Sequence, residues 1–176
     1  MQTTKRFDTA DSDEPRALIV DDAPVERLVM SALLESAGVR CEAVSDATDA
    51  MRALELDTFD VVVLDLDLGE GMTGFDVLRE LRERADTKEL PIVLVTSTAR
   101  TPALLAKGYA LGADDHLTKP VDLDTLHSVI VRHARRRVPA RVALASAGPR
   151  AKITRPLKTS ELEVLLRLAD MAAGER

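Results

Sequence analysis

Residues 60–74 read Asp-Val-Val-Val-Leu-Asp-Leu-Asp-Leu-Gly-Glu-Gly-Met-Thr-Gly. An apolar run this short and this rich in β-branched residues, closed by turn-forming glycines, fits a strand buried on both faces. Strands covered on both faces belong to parallel sheets, and open α/β sheets bind their ligands beyond the carboxyl ends of the strands. Asp65 stands at such an end. It is the first candidate for chemistry, and what the chain can fold into depends on what else reaches that edge.

The rest of the chain supplies four more strands. Ala17-Leu-Ile-Val20 runs into Asp21-Asp22, and residues 39–44 form a second, short strand. Pro91-Ile-Val-Leu-Val95 leads to Thr96-Ser97-Thr98, and Asp114 to Thr118 leads to Lys119-Pro120. Helical spacing separates them. Pro24 suits a first helical turn, where its missing N–H costs nothing, and Val25, Leu28, Val29, Ala32 and Leu33 follow before Gly38. Ser45 or Asp46 caps a helix reaching Leu56, Gly74 opens an amphipathic helix, and residues 104–111 make a fourth. Asp122 caps a last helix with Leu123, Leu126, Val129, Ile130 and His133 on its apolar side. Alternating strands and helices predict an α/β fold, a five-stranded parallel sheet with helices on both faces and right-handed crossovers.

Charge divides the chain. Residues 132–158 hold nine Lys or Arg and no acid, within a protein of net charge −6. The composition predicts an acidic body, a basic linker over residues 138–158 rich in Pro, Gly and Ala, and a C-terminal helix over 159–174 opened by Ser160 and Glu163 as a capping box. Residues 1–15 read as a solvated leader and 16–137 as the folded domain. Aromatics amount to 2%, too few for a base-stacking surface. The basic run is a solvated linker, and nucleic-acid binding is not supported by it. The lone cysteine, Cys41, behaves as a small buried hydrophobe. No signal peptide or apolar run of about 18 residues is visible, which leads to the expectation of a cytoplasmic protein without a membrane partner.

Four of the five strands end in reactive types: Asp21-Asp22, Asp65, Thr96 and Lys119. In a parallel sheet these ends share one edge. Carboxylates gathered there repel unless a cation sits among them, and hard oxygens with room for water suit Mg²⁺. A hydroxyl and an ammonium complete a phosphoryl-transfer site, in which a carboxylate itself can serve as nucleophile.

Leu18-Ile-Val-Asp21-Asp22, Val63-Leu-Asp65, Val95-Thr96-Ser97 and Leu117-Thr-Lys119-Pro120 resemble, in order and spacing, the receiver domain of bacterial two-component response regulators. The resemblance covers residues 16–137. It implies a flavodoxin-like doubly wound (βα)5 fold with strand order 2-1-3-4-5. It implies Asp65 as phosphoacceptor, Asp22 as a direct Mg²⁺ ligand, Asp21 holding a metal-bound water, and the backbone carbonyl of Asp67 as a third protein ligand. Thr96 and Lys119 would bind phosphoryl oxygens. The donor would be a phosphohistidine on a sensor histidine kinase or phosphotransfer protein. The face made by helix 4, strand 5 and helix 5 would rearrange, with Thr96 as the moving hydroxyl. Such a protein acts on no outside substrate and assists only its own phosphorylation and dephosphorylation.

Two positions depart from the family pattern. Gly69 stands where many receivers carry proline. His116 stands where Tyr or Phe often reports the switch, and it reads either as a partly exposed strand residue filling that space or as a pH-sensitive switch. Asp67 and Thr98 flank the path of a hydrolytic water. Asp65-Leu-Asp67 also resembles the nucleophile motif of haloacid dehalogenase-like phosphatases. In that class the acidic pair follows the lysine, whereas Asp114-Asp115 precede Lys119. The tail from Leu157 resembles the opening helix of a LuxR-type transcription factor or of an HD-GYP cyclic-di-GMP phosphodiesterase. It otherwise packs on the domain or on a second copy, giving a homodimer.

Overall fold

The computed structural model describes residues 14–69, 71–97 and 101–142. The leader (but for its last two residues), Thr98, most of the basic linker and the C-terminal helix lie outside the described residues.

Five strands and five helices alternate: β1 (Arg16–Val20), α1 (Pro24–Ser36), β2 (Arg40–Val44), α2 (Ala47–Leu56), β3 (Val61–Asp65), α3 (Gly74–Glu83), β4 (Ile92–Thr96), α4 (Pro102–Ala110), β5 (Asp115–Thr118) and α5 (Leu123–Val142). All pairings are parallel and the sheet order is β2-β1-β3-β4-β5. This is the expected doubly wound order.

The central strands are apolar throughout because each face has its own core. Leu18, Val20, Val62, Leu64, Ile92 and Leu94 pack toward α2 and α3, against Ala50, Leu54, Val77, Leu78 and Leu81. Ala17, Ile19, Val61, Val63, Val93 and Val95 turn to the other face, against Val29, Leu33 and Leu34 of α1 and Leu126 and Ile130 of α5. Period-2 alternation thus persists, but both phases are hydrophobic. At about 25 cal/mol per Å², each fully buried Leu, Ile or Val contributes roughly 1.5–3 kcal/mol.

Local signals set the helix starts. Pro24 occupies the first turn of α1, and Asp46 accepts a hydrogen bond from the Asp49 amide to cap α2. Thr73 and Asp76 form a reciprocal capping box on α3. Helix α4 starts at Pro102, two residues before the expected Leu104, because Thr101 caps it through the Leu104 amide. Helix α5 continues to Val142, past the boundary expected at residue 137 and through Pro139. The proline removes one rung of the hydrogen-bond ladder without ending the helix.

Candidate functional site

The carboxyl ends of β1, β3, β4 and β5 meet where order β2-β1-β3-β4-β5 switches direction. Asp65 is the last residue of β3 and is 3% exposed. Its register partner is Val95, so Thr96, also buried, lies one step further along β4. The Lys119 amide donates to the Thr96 carbonyl at 2.9 Å, which ties the end of β5 to the end of β4.

Lys119 crosses the edge of the sheet. Its Nζ donates to Asp65 Oδ2 at 2.6 Å and to Asp21 Oδ2 at 2.7 Å, 98 positions away in sequence. The ammonium also pairs with Glu26, in the first turn of α1. Asp21 is further held by the Ala23 amide on Oδ1 at 2.8 Å, while Arg27 donates to its backbone carbonyl at 2.5 Å. Asp65 Oδ1 accepts from the Asp67 amide at 3.1 Å. The Asp67 side chain is held in turn by Ser97 Oγ at 3.1 Å.

Asp21, Asp22 and Asp65 each present an oxygen within 4.8 Å of the others. Asp21 and Asp65 are buried and Asp22 is exposed, so the cluster opens to solvent on one side. Burial raises the pKa of Asp65, and Lys119 offsets only part of this, leaving it pushed up to about 6. Asp21 is raised for the same reason, again with Lys119 opposing. Burial also disfavours the Lys119 ammonium, but Asp21, Asp65 and Glu26 outweigh that and lift its pKa above the ordinary lysine value. The carboxylates outnumber the cation, and their remaining cost is relieved by a further positive charge. Hard oxygens with solvent access on one side fit a small divalent ion such as Mg²⁺.

The loop after β3 completes the edge. Gly69 has φ +70, a conformation proline cannot adopt, and a Cβ there would lie 3.0 Å from Asp22 Oδ2. This turn favours glycine and excludes proline, so the departure from the family pattern has a backbone cause. The Lys119–Pro120 peptide is cis.

Of the two readings of His116, the partly exposed strand residue is overturned, since the residue is 1% exposed. Helix α4 crosses it through Gly108, where a Cβ would lie 2.2 Å from His116 Cε1. The Tyr109 ring meets it edge-on, centroids 5.0 Å apart. A glycine inside a helix was the signal for that close approach. Glu26 is the site residue that sequence reasoning missed. An acid five residues beyond Asp21, in the first turn of the following helix, faces back over the strand end.

Asp114 and Asp115 sit at the amino end of β5, opposite Asp65. Asp114 accepts from the Ile92 amide at 2.8 Å and from Arg82 at 2.9 Å, and Asp115 pairs with Arg132. The acidic pair that a haloacid dehalogenase-like reading needs is thus at the wrong edge. His127 is exposed on α5, and His133 is buried with Nε2 3.6 Å from Asp115. Cys41, expected buried, is half-buried at the edge of the core, and burial still pushes its thiol up to about 12, which makes it inert. Among the described residues no helix is long and apolar enough to cross a membrane.

Comparison with known proteins agrees with this geometry. Residues 17–131 match the family model of the response regulator receiver domain. The two-component response regulator ORR3 of Oryza sativa is 39% identical over 114 residues, 64% of this chain and 86% of its own length. The solved structure of the chemotaxis protein CheY4 of Vibrio cholerae aligns with a TM-score of 0.64 at 30% identity, covering 68% of this chain and 98% of that one. The receiver domain of sensor histidine kinase PA1611 from Pseudomonas aeruginosa, solved with a magnesium ion coordinated in its active-site cleft, aligns at 0.63 and 28% identity, covering 69% and 98%. The chain belongs to the response regulator receiver family of two-component signalling.

Proposed function

We propose that this receiver accepts a phosphoryl group on Asp65 in a Mg²⁺-dependent reaction. The observation that carries the reading is the convergence of Asp21 and Asp65 on Lys119, with Asp22 alongside. Asp22, Asp65 and the carbonyl of Asp67 would hold the ion, and Asp21 a water bound to it. The ion supplies charge neutralisation for the incoming phosphoryl oxygens.

An Asp65 carboxylate oxygen attacks phosphorus. The bond from phosphorus to the donor imidazole nitrogen breaks, its electron pair stays on that nitrogen, and an acyl phosphate forms on Asp65. Lys119 and Thr96 take up phosphoryl oxygens. The driving force comes from the donor, and the receiver contributes position and charge. The phosphohistidine partner is a sensor histidine kinase or phosphotransfer protein, and the protein turns over no outside substrate. Negative charge at Asp65 then draws on Thr96 and Lys119 and shifts the face of α4, β5 and α5. His116, buried on β5 against Gly108 of α4, would relay that shift. The setting is the cytoplasm, and the chain beyond α5 carries the shift to an output.

The test is phosphorylation of the full chain by acetyl phosphate with and without Mg²⁺, followed as phosphoprotein. Asp65→Asn is expected to lose labelling by about 100-fold or more, and chelation to do the same. Full labelling of Asp65→Asn overturns the proposal.

A further inference from the structure

We infer that Glu26 is an electrostatic brake on phosphorylation of this site, acting through Lys119. The inference rests on Asp65 being the phosphoacceptor. An ammonium has three N–H donors and no more. Here Asp21 and Asp65 accept two of them, and Glu26 lies against the same ammonium as an ion pair without a hydrogen bond. A phosphoryl oxygen arriving at Asp65 must share that one positive charge with all three acids.

The three partners are not equivalent. Asp21 and Asp65 belong to the acid cluster that a divalent ion would draw together, and Glu26 does not. Glu26 comes from α1, and its side chain is 33% exposed although the oxygen that faces Lys119 is buried. It is therefore the partner left on Lys119 while the other two turn to the ion and the phosphoryl group. It also sets the sign of the charge that a donor meets. Asp21, Asp22, Asp65, Asp67 and Glu26, against Lys119, Arg27 and one divalent ion, leave a single net negative charge. Without Glu26 the site is neutral. A phosphodonor is an anion, and a cleft of its own sign lowers its local concentration and its rate of reaction.

Glu26 is a positioning residue, since the described contact is to Lys119 and not to the reacting atoms. Its removal should speed the reaction through charge, not through shape. The probe is acetyl phosphate, with the full chain at saturating Mg²⁺, and the rate of phosphoprotein formation is followed. At low salt, Glu26→Gln and Glu26→Ala should both label about three- to tenfold faster than the parent. That advantage should shrink toward one near 1 M salt, where charges more than about 3 Å apart are screened. A second measurement needs neither metal nor donor. In urea unfolding under chelation, Glu26→Gln and Lys119→Met should shift the midpoint non-additively, because they share one contact.

Labelling at or below the parent rate overturns the inference, as does a rate ratio indifferent to salt. Acceleration by Glu26→Ala but not by Glu26→Gln assigns the effect to volume and overturns it too. Additive unfolding shifts do the same. These failures are separable from failure of the phosphoacceptor assignment, which shows instead as labelling of Asp65→Asn.

Discussion

The two edges of the sheet use the same residue types for opposite ends. At the amino edge each acid meets a donor of its own. Asp60 accepts the Arg16 amide at 2.8 Å, Asp57 receives the Arg16 guanidinium, Asp114 takes the Ile92 amide and Arg82, and Asp115 takes Arg132. At the carboxyl edge Asp21, Asp65 and Glu26 divide one ammonium, and Asp22 stands beside them. The amino edge is closed by polar pairs. The carboxyl edge is closed by backbone contact and holds its charges in excess. On the proposed function, that excess is what would receive a cation and a phosphoryl group, since a fully paired edge offers nothing to either.

The largest effect should come from the backbone contact. A Cβ on Gly74 would lie 2.2 Å from the Asp65 carbonyl oxygen and 2.7 Å from Leu66 Cα, both main-chain atoms. Neither can swing aside, so Gly74→Ala must push α3 off the end of β3. A loss of about 3 kcal/mol or more in chemical unfolding is expected, with labelling of Asp65 reduced as well. A loss under about 1 kcal/mol would mean that the site edge is not held by this approach.

At the opposite edge the sensitive element is a charge. Asp114→Ala leaves the Ile92 amide and the Arg82 guanidinium without that carboxylate. Arg82 keeps the Gly112 carbonyl at 2.9 Å and the Leu90 carbonyl at 2.8 Å, which limits the damage. The expected loss is about 2 kcal/mol, with the rate of phosphorylation by acetyl phosphate unchanged once the folded fraction is accounted for. Impaired labelling of the folded protein would show that the two edges are coupled.

Much of this was legible in the chain. Two-sided burial turned β1, β3 and β4 into continuous apolar runs, so Asp21, Asp65 and Thr96 could be placed at strand ends without a structure. Lys119 followed from the same rule, since a parallel sheet brings all carboxyl ends to one edge. What stayed hidden depended on side-chain reach and on packing between elements distant in sequence. Glu26 lies on a helix, and only the path of Lys119 across the edge reveals it. The burial of His116 is decided by Gly108, in a helix whose own pattern gives no reason for a glycine. The extent of α5 escaped because Pro139 and the arginines argue for a linker, while the helix runs on to Val142.

The finest test of the contrast uses the acid at its centre. Asp65 is pushed up to about 6 from an ordinary 3.8, chiefly by burial. A carboxyl group whose pKa is higher folded than unfolded holds its proton more tightly in the native state. Stability therefore falls as pH rises through the interval from about 4 to about 6, and the full cost of ionisation is present above it. Asp65→Asn removes the charge and keeps the shape, and Lys119 retains Asp21 and Glu26. In the metal-free protein at pH 8 the variant should be more stable than the parent by about 1–2 kcal/mol, a figure reduced for the water that reaches the cleft. At pH 4 the two should unfold alike. Urea denaturation under chelation at both pH values measures the difference. A variant less stable at pH 8 would show that the Lys119 pair already outweighs burial, and that this carboxylate is as well satisfied as Asp114 at the far edge. A gain that appears at pH 8 and vanishes at pH 4 places the excess charge on Asp65 itself.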